Sequence, residues 1–280
     1  MDQRKVETLL AVLCEGSFRR AAEGLCCTQS AVTQAMDSLE RELGCKILDR
    51  NYRGIRLTAA GERLYPFFLE FDKSCKRLMR EAETIASGKN APVRIGTFSS
   101  IASTWLPQLL ADYQKIHPEI SFDVQIGSDS IREWLLQEKI DIALGDELRC
   151  KTLIWTPLIE DYFSALIPKS LFPAEQTTIT IEELALHSYV MAPLDCTDYY
   201  VDFQPKKSIK VNCEDDSVVI SMVSKGFGIS ILPDSCLWNL PEHVRKLKLL
   251  PEYKRIIGMS TSDHANKEIR QFANFIKKKI

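Results

Sequence analysis

Apolar residues Val6, Leu9, Leu10 and Leu13 recur at helical spacing, so the chain opens with an amphipathic helix. Gly16 can end that helix in a left-handed conformation, and Ser17 caps a second helix from Phe18 to about Leu25. After a break at Cys26-Cys27, Thr28 caps a third helix that closes at Leu43-Gly44. Its apolar stripe is Ala31, Val32, Ala35, Met36 and Leu39, and Gln29, Ser30, Thr33, Gln34 and Asp37 stand opposite. Ile47-Leu48 and Ile55-Leu57 read as two short strands around a turn at 49–54. Thr58 then caps a helix reaching about Ser87-Gly88, in which Leu64, Phe68, Phe71, Cys75, Leu78, Ala82 and Ile85 alternate at spacings of four and three. Such a repeat forms the seam of a coiled coil or packs against the chain's own domains. Pro66 interrupts the helix start and can bend it.

Beyond the linker Ser87–Pro92 the pattern changes to strands alternating with helices, which implies parallel β-α-β units. Strands are expected at Val93–Gly96, Ile120–Ile126, Ile140–Leu144, Phe163–Ile167, Tyr189–Ala192 and within Gly226–Pro233. Helices are expected at Ser100–Lys115, Ser128–Glu138, Ser217–Lys225 and Lys267–Lys278. The fold class is α/β.

Composition narrows the choice of chemistry. With 36 basic and 38 acidic residues among 280, the formal charge is −2, and 45% of residues are hydrophobic, as in an ordinary globular protein. No apolar run is long enough to span a membrane and no signal peptide is recognisable, so a cytoplasmic location is expected. Nine cysteines, none in a Cys-x-x-Cys pair, suit reduced thiols rather than a disulfide framework or structural zinc. Neither a metal nor a cofactor is expected. No nucleophile elbow or phosphate loop appears, and no catalytic residue is assigned. The competing class is a solute-binding module or enzyme on a two-lobed fold, for which the first sixty residues would have no purpose.

Two short helices joined by a tight turn, the second with a short-chain polar face, form a helix-turn-helix. Gln can pair with adenine in bidentate fashion, while Ser and Thr reach phosphates or base edges. Arg50, Arg53 and Arg56 gather on the hairpin beside it, a wing whose guanidinium groups can contact phosphates or the minor groove. Residues 1–61 carry 9 basic and 8 acidic side chains, so the basic signal is local. A merely solvated helix face is the alternative.

The residues Gly16-Ser17-Phe18, Ala21-Ala22, Leu25, Thr28 to Thr33, Leu39-Glu40, Leu43-Gly44, Leu48, Arg50, Leu57-Thr58 and Gly61 together resemble the N-terminal signature of LysR-type transcriptional regulators. Asp49 departs from the usual apolar residue before Arg50, and Gln34 stands where a basic residue is common. The later stretches Arg94-Ile95-Gly96, Leu106-Pro107, His117-Pro118, Ile140–Ala143 and Val223–Ile229 resemble the family's effector domain, a two-lobed fold of periplasmic-binding-protein type.

The resemblance implies a winged helix-turn-helix at 1–61, a dimerisation helix and hinge at 62–90, and an effector domain at 91–280. Lobe I would hold about 91–161 and 263–280, and lobe II about 162–262. It implies a ligand-controlled regulator that binds double-stranded promoter DNA as a homodimer or homotetramer, with RNA polymerase as a possible partner and no membrane. Ser17, Arg19, Thr28, Gln29, Ser30, Thr33, Gln34, Arg50 and Arg53 are the expected DNA-binding residues. Thr97, Ser99, Ser100, Ile101, Ser128, Asp195, Cys196 and Thr197 are expected around a small polar or carboxylate effector. Simple helix capping is the alternative for Ser100 and Ser128. Acids at 195, 198, 202 and 214–216 suit either a cationic effector or a cap, Asp215 or Asp216, on the following helix, where a carboxylate stabilises by about 0.3–1 kcal/mol. Peroxide-sensing relatives imply one more alternative, a redox switch of Cys196 with Cys213, but 17 residues separate the two here, more than in those relatives.

Overall fold

The structure, a computed structural model, describes residues 1–51, 54–88, 91–147, 150, 153–191, 205, 207–211 and 215–280. The chain divides into two compact units, Met1–Ala91 and Pro92–Ile280.

In the first unit, α1 (Gln3–Glu15), α2 (Phe18–Gly24) and α3 (Gln29–Leu43) precede a hairpin of β1 (Leu48–Asn51) and β2 (Gly54–Leu57), followed by α4 (Ala59–Ser87). The expected caps are present: Ser17, Thr28 and Thr58 each accept a hydrogen bond from the backbone N–H three residues on. Gly16 and Gly44 end α1 and α3 with φ of 59° and 68°. The hairpin strands are longer than the sequence suggests, because pairing continues through Arg50 with Ile55 to Asn51 with Gly54. Val6, Leu9, Val12, Phe18, Val32, Met36, Leu39 and Ile47 form the core, and Phe68 of α4 is buried within it at 3% exposure. Leu64 and Phe71 pack against the same core. The N-terminal half of the seam is therefore occupied internally, whereas Leu78, Met79 and Ile85 stand 55–75% exposed.

The second unit begins with β3 (Val93–Thr97), α5 (Ser99–Ser103), α6 (Trp105–Ile116), β4 (Phe122–Ile126), α7 (Ser130–Leu136) and β5 (Ile142–Asp146). The single helix expected at Ser100–Lys115 is two helices, broken at Thr104. Pro107 supplies the reason. In a continuous helix its ring would meet the Ser103 carbonyl, whereas a fresh start at Trp105 puts it in the first turn, where no N–H is required.

The chain then crosses into a second lobe along β6 (Trp155–Pro168), a 14-residue strand of which only Phe163–Ile167 is legible in the sequence. There follow β7 (Thr178–Thr180), α8 (Ile181–Ala185), β8 (Ser188–Met191), β9 (Lys207–Lys210), α9 (Asp216–Ser224), β10 (Ser230–Pro233), a single 3-10 turn at Asp234–Cys236 and β11 (Val244–Leu250). The return is β12 (Lys254–Thr261), and α10 (Lys267–Lys279) closes the chain. The main sheet runs β4-β3-β5-β12-β6-β11-β7, with β10 also pairing β6. β3 is parallel to β4 and β5, but β12 is antiparallel to both β5 and β6, so the sheet is mixed rather than purely parallel. Ile257–Thr261, which the sequence groups with lobe II, pair with β5 in the first lobe's sheet.

Two of the motif stretches act as fasteners. The Asp141 carboxylate accepts from the Arg94 backbone N–H at 2.9 Å and from its Nε at 3.0 Å, tying β3 to the start of β5. The first lobe's core carries Ile95, Ile101, Ile142 and Leu144 with Phe272 of α10, while Phe163, Ala165 and Ile231 centre the second lobe's.

Candidate functional site

Two surfaces carry candidate chemistry, one in each unit. On α3, Val32, Met36 and Leu39 face the core, which turns Gln29, Ser30 and Gln34 to solvent and leaves Thr33 half-buried. The hydroxyls of Thr28 and Ser30 lie 2.9 Å apart, and the Thr33 hydroxyl donates to the Gln29 carbonyl. The amides of Gln29 and Gln34 are thus the longest exposed polar groups on this face. Ser17 is engaged as the cap of α2, and Arg19 is exposed beside Glu23 at 3.4 Å. Arg50 lies on β1, while Arg53 falls outside the described residues.

Beneath this surface lies a residue that sequence reasoning passed over. Glu40 is buried, and its carboxylate accepts from the backbone N–H groups of Ile47 at 2.9 Å and Leu48 at 3.1 Å and from Lys46 at 2.5 Å. Burial alone would raise its pKa, but these donors outweigh that and hold it below the usual value. Glu40 therefore locks the strand start against α3 and fixes the hairpin beside the exposed face. The signal was its place beside Leu39 in the recognised signature; its role needed the fold.

In the second unit a cavity of about 240 Å³ lies between the lobes. The first lobe contributes Ser99, Ser100 and Ser103 from α5; the second contributes Asp215, Asp216 and Ser217 at the start of α9, with Ser235 and Cys236 of the 3-10 turn. Of the expected effector residues, Ser99 and Ser100 line it. Ile101 does not: it is fully buried in the first lobe's core. Thr97 and Ser128 are buried and are not among the described lining residues, and among the described residues the Thr97 hydroxyl has no hydrogen-bond partner. Asp195, Cys196 and Thr197, together with Cys213, lie outside the described residues.

Behind the cavity the two crossing strands carry a buried ion pair. Arg255 of β12 donates through Nε to Asp161 of β6 at 2.9 Å, and both residues are about 6% exposed. One Nη of Arg255 also reaches Ser100 Oγ at 3.3 Å and Ser235 Oγ at 3.2 Å. Asp161 accepts from the Ser235 backbone N–H at 3.0 Å and from its hydroxyl at 2.7 Å. One guanidinium thus binds a hydroxyl from each lobe at the place where the chain crosses between them. Sequence reading missed Arg255, Asp161 and Ser235, since nothing local marks residues that meet across 20 to 155 positions.

Asp215 caps α9 by accepting from the Ser217 backbone N–H at 2.9 Å. Asp216, next to it, accepts from the Cys236 thiol at 3.0 Å. Desolvation raises the Asp216 carboxyl above its ordinary pKa and pushes the Cys236 thiol well above its own. A thiol held protonated is a poor nucleophile and a poor redox sensor. A larger hollow of about 540 Å³ opens on the second lobe alone, where Lys246 pairs with Asp234 at 3.0 Å. Among the described residues no group of three or more His, Cys, Asp or Glu side chains could hold a metal, and no helix is long and apolar enough to cross a membrane.

Comparison with known proteins bears on both surfaces. The profile described as "LysR substrate binding domain" matches residues 86–280, and that described as "Bacterial regulatory helix-turn-helix protein, lysR family" matches 3–62. A probable HTH-type transcriptional regulator, LrrA, from Synechococcus elongatus is 26% identical, over 92% of this chain and 90% of its own. The HTH-type transcriptional regulator AlsR of Bacillus subtilis is also 26% identical, over 97% and 94%. Among solved structures, full-length CbnR in complex with its target DNA superposes with a TM-score of 0.63 at 18% identity, covering all of both chains.

Proposed function

The chain belongs to the LysR family of transcriptional regulators, with a helix-turn-helix and an effector-binding domain, and we propose how its own residues divide that work. Gln29, Ser30 and Gln34 of α3 read base edges in the major groove of promoter DNA, with Thr28 and Thr33 at their side. Ser17 and Arg19 on α2, and Arg50 and Arg53 on the hairpin, hold the phosphates or the minor groove. A small molecule binds in the cavity between the lobes and contacts Ser99 and Ser100, with Asp195, Cys196 and Thr197 on the facing segment. The observation that carries this reading is the cavity itself, bounded by both lobes and backed by a guanidinium that bonds to each. A ligand touching both walls changes their preferred separation, and it shifts the population of two assemblies only by its differential affinity for them.

The exposed Leu78, Met79 and Ile85 on the C-terminal half of α4 suit a second copy of this helix, so the protein acts as a dimer, from which tetramers form. This narrows the seam: Leu64, Phe68 and Phe71 serve the unit's own core, and Leu78, Ala82 and Ile85 remain for a partner. CbnR has been solved with its target DNA, which supports the DNA side of the proposal.

The test is nuclease protection upstream of the protein's own gene, repeated with Gln29→Ala. Loss of about 1–3 kcal/mol at one base position, with other positions unchanged, is the expected result. Unaltered specificity would remove α3 from base reading.

A further inference from the structure

The charge around the interlobe cavity constrains what can bind there. Among the described residues lining it, the charged ones are Asp215 and Asp216, and the remainder are mostly serine hydroxyls. The nearby cation, Arg255, is already bonded to Asp161, Ser100 and Ser235. Asp215 is engaged in capping α9. Asp216 instead accepts, among the described residues, from the Cys236 thiol, a weak donor to a carboxylate. Burial raises the pKa of that carboxyl, the mark of an anion whose charge its surroundings do not fully compensate. A ligand carboxylate placed here would meet two like charges, whereas an ammonium group would add to the partial compensation that the Arg255 charge gives Asp216.

Resting on the reading of this cavity as the effector site, we propose that its ligand is a small molecule bearing an ammonium group, anchored on Asp216. This replaces the expected polar or carboxylate metabolite. The serine hydroxyls of α5 and Ser235 accept the remaining ammonium protons, and Trp238, 64% exposed at the rim, covers the ligand's apolar part. The volume of about 240 Å³ fits a compact metabolite, below the range of about 300–1,000 Å³ typical of larger ligands.

The experiment follows thermal unfolding of the full-length protein by intrinsic fluorescence. Straight-chain primary amines, monocarboxylates and alcohols, matched in length, are added at equal millimolar concentration. Amines are expected to raise the melting temperature by several degrees, and carboxylates and alcohols are not. The shift should vanish in Asp216→Asn and persist in Asp123→Asn, an exposed acid on β4. It should also vanish in Ser103→Trp, which fills the cavity from an exposed position and so leaves the fold intact. If Asp216→Asn does not fold, the wild-type contrast of amines with carboxylates and the Ser103→Trp variant decide the matter. Stabilisation by carboxylates alone, abolished by Ser103→Trp, would overturn the ligand class and leave the cavity as the effector site. An amine shift indifferent to Ser103→Trp would overturn the site. No shift from any amine would overturn the proposal outright.

Discussion

The two units build their working surfaces in opposite ways. In the DNA-binding unit the polar groups proposed to read DNA are exposed on one helix, and the buried carboxylate that positions the hairpin, Glu40, takes its backbone bonds from residues only seven and eight positions away. In the effector unit the corresponding buried cluster joins Ser100, Asp161, Ser235 and Arg255 across as many as 155 positions. Both are buried carboxylates with a basic partner, yet Lys46 is 74% exposed while the Arg255 side chain is only 7% exposed. A local cluster can relax when one member is lost, because water reaches its cation. A closed one cannot. The effector unit therefore concentrates its sensitivity to substitution at the crossing strands, where one guanidinium bonds to both lobes.

Arg255→Met should give the largest effect. It leaves Asp161 buried without its cation, and a loss of about 3–5 kcal/mol is expected in calorimetric unfolding of the effector unit. A loss no greater than that of a surface substitution would mean the ion pair is not closed to water, and the contrast between the units would fall.

Gly61→Ala tests the other unit by a steric route. A Cβ there would stand 2.2 Å from the Ile47 carbonyl oxygen, so α4 or the hairpin must shift. Destabilisation of about 1–3 kcal/mol is expected, seen as accelerated hydrogen exchange confined to residues 1–91.

Glu40→Gln sharpens the comparison through pH. The folded pKa of Glu40 is depressed, so its contribution is present above the ordinary glutamate value of about 4.3 and is lost as pH falls through the lower folded value. At neutral pH the variant should lose about 1–2 kcal/mol, and the difference from wild type should close in acid. A gap that stays constant down to the acid transition would show that the bonds, not the charge, carry the effect.

Cys236→Ser is expected to be nearly silent, at less than about 1 kcal/mol, since a hydroxyl also donates to Asp216. A promoter response to peroxide that disappears in this variant would reverse the reading of Cys236 as an unreactive thiol.

Much of the first unit was legible because its determinants are short-range. Caps at Ser17, Thr28 and Thr58 and the terminating glycines at 16 and 44 act within one helical turn, and α1 to α4 fall within a residue or so of their expected bounds. The seam on α4 was half legible. Its period is correct for an apolar stripe, but periodicity does not say which apolar surface covers the stripe, and Phe68 is covered by the unit's own core. In the effector unit, isolated strands such as β3 carry a period of their own. β7, β9, β11 and β12 do not stand out, because their strand character comes from neighbours in the sheet.

The sequence by itself determined the family, the order of helices and strands around the recognition helix, and the presence of Ser99 and Ser100 at the end of the first strand of the α/β portion. The family rests on the resemblance of its motifs, and the order of elements on side-chain period and capping, which act over a few residues. Only the tertiary structure decided that Arg255 is bonded to Asp161, that Asp215 caps α9 while Asp216 beside it accepts from the Cys236 thiol, and that Ile101 belongs to the core. Burial and charge compensation are properties of a three-dimensional neighbourhood, and no period along the chain encodes which distant residue will supply the counterion.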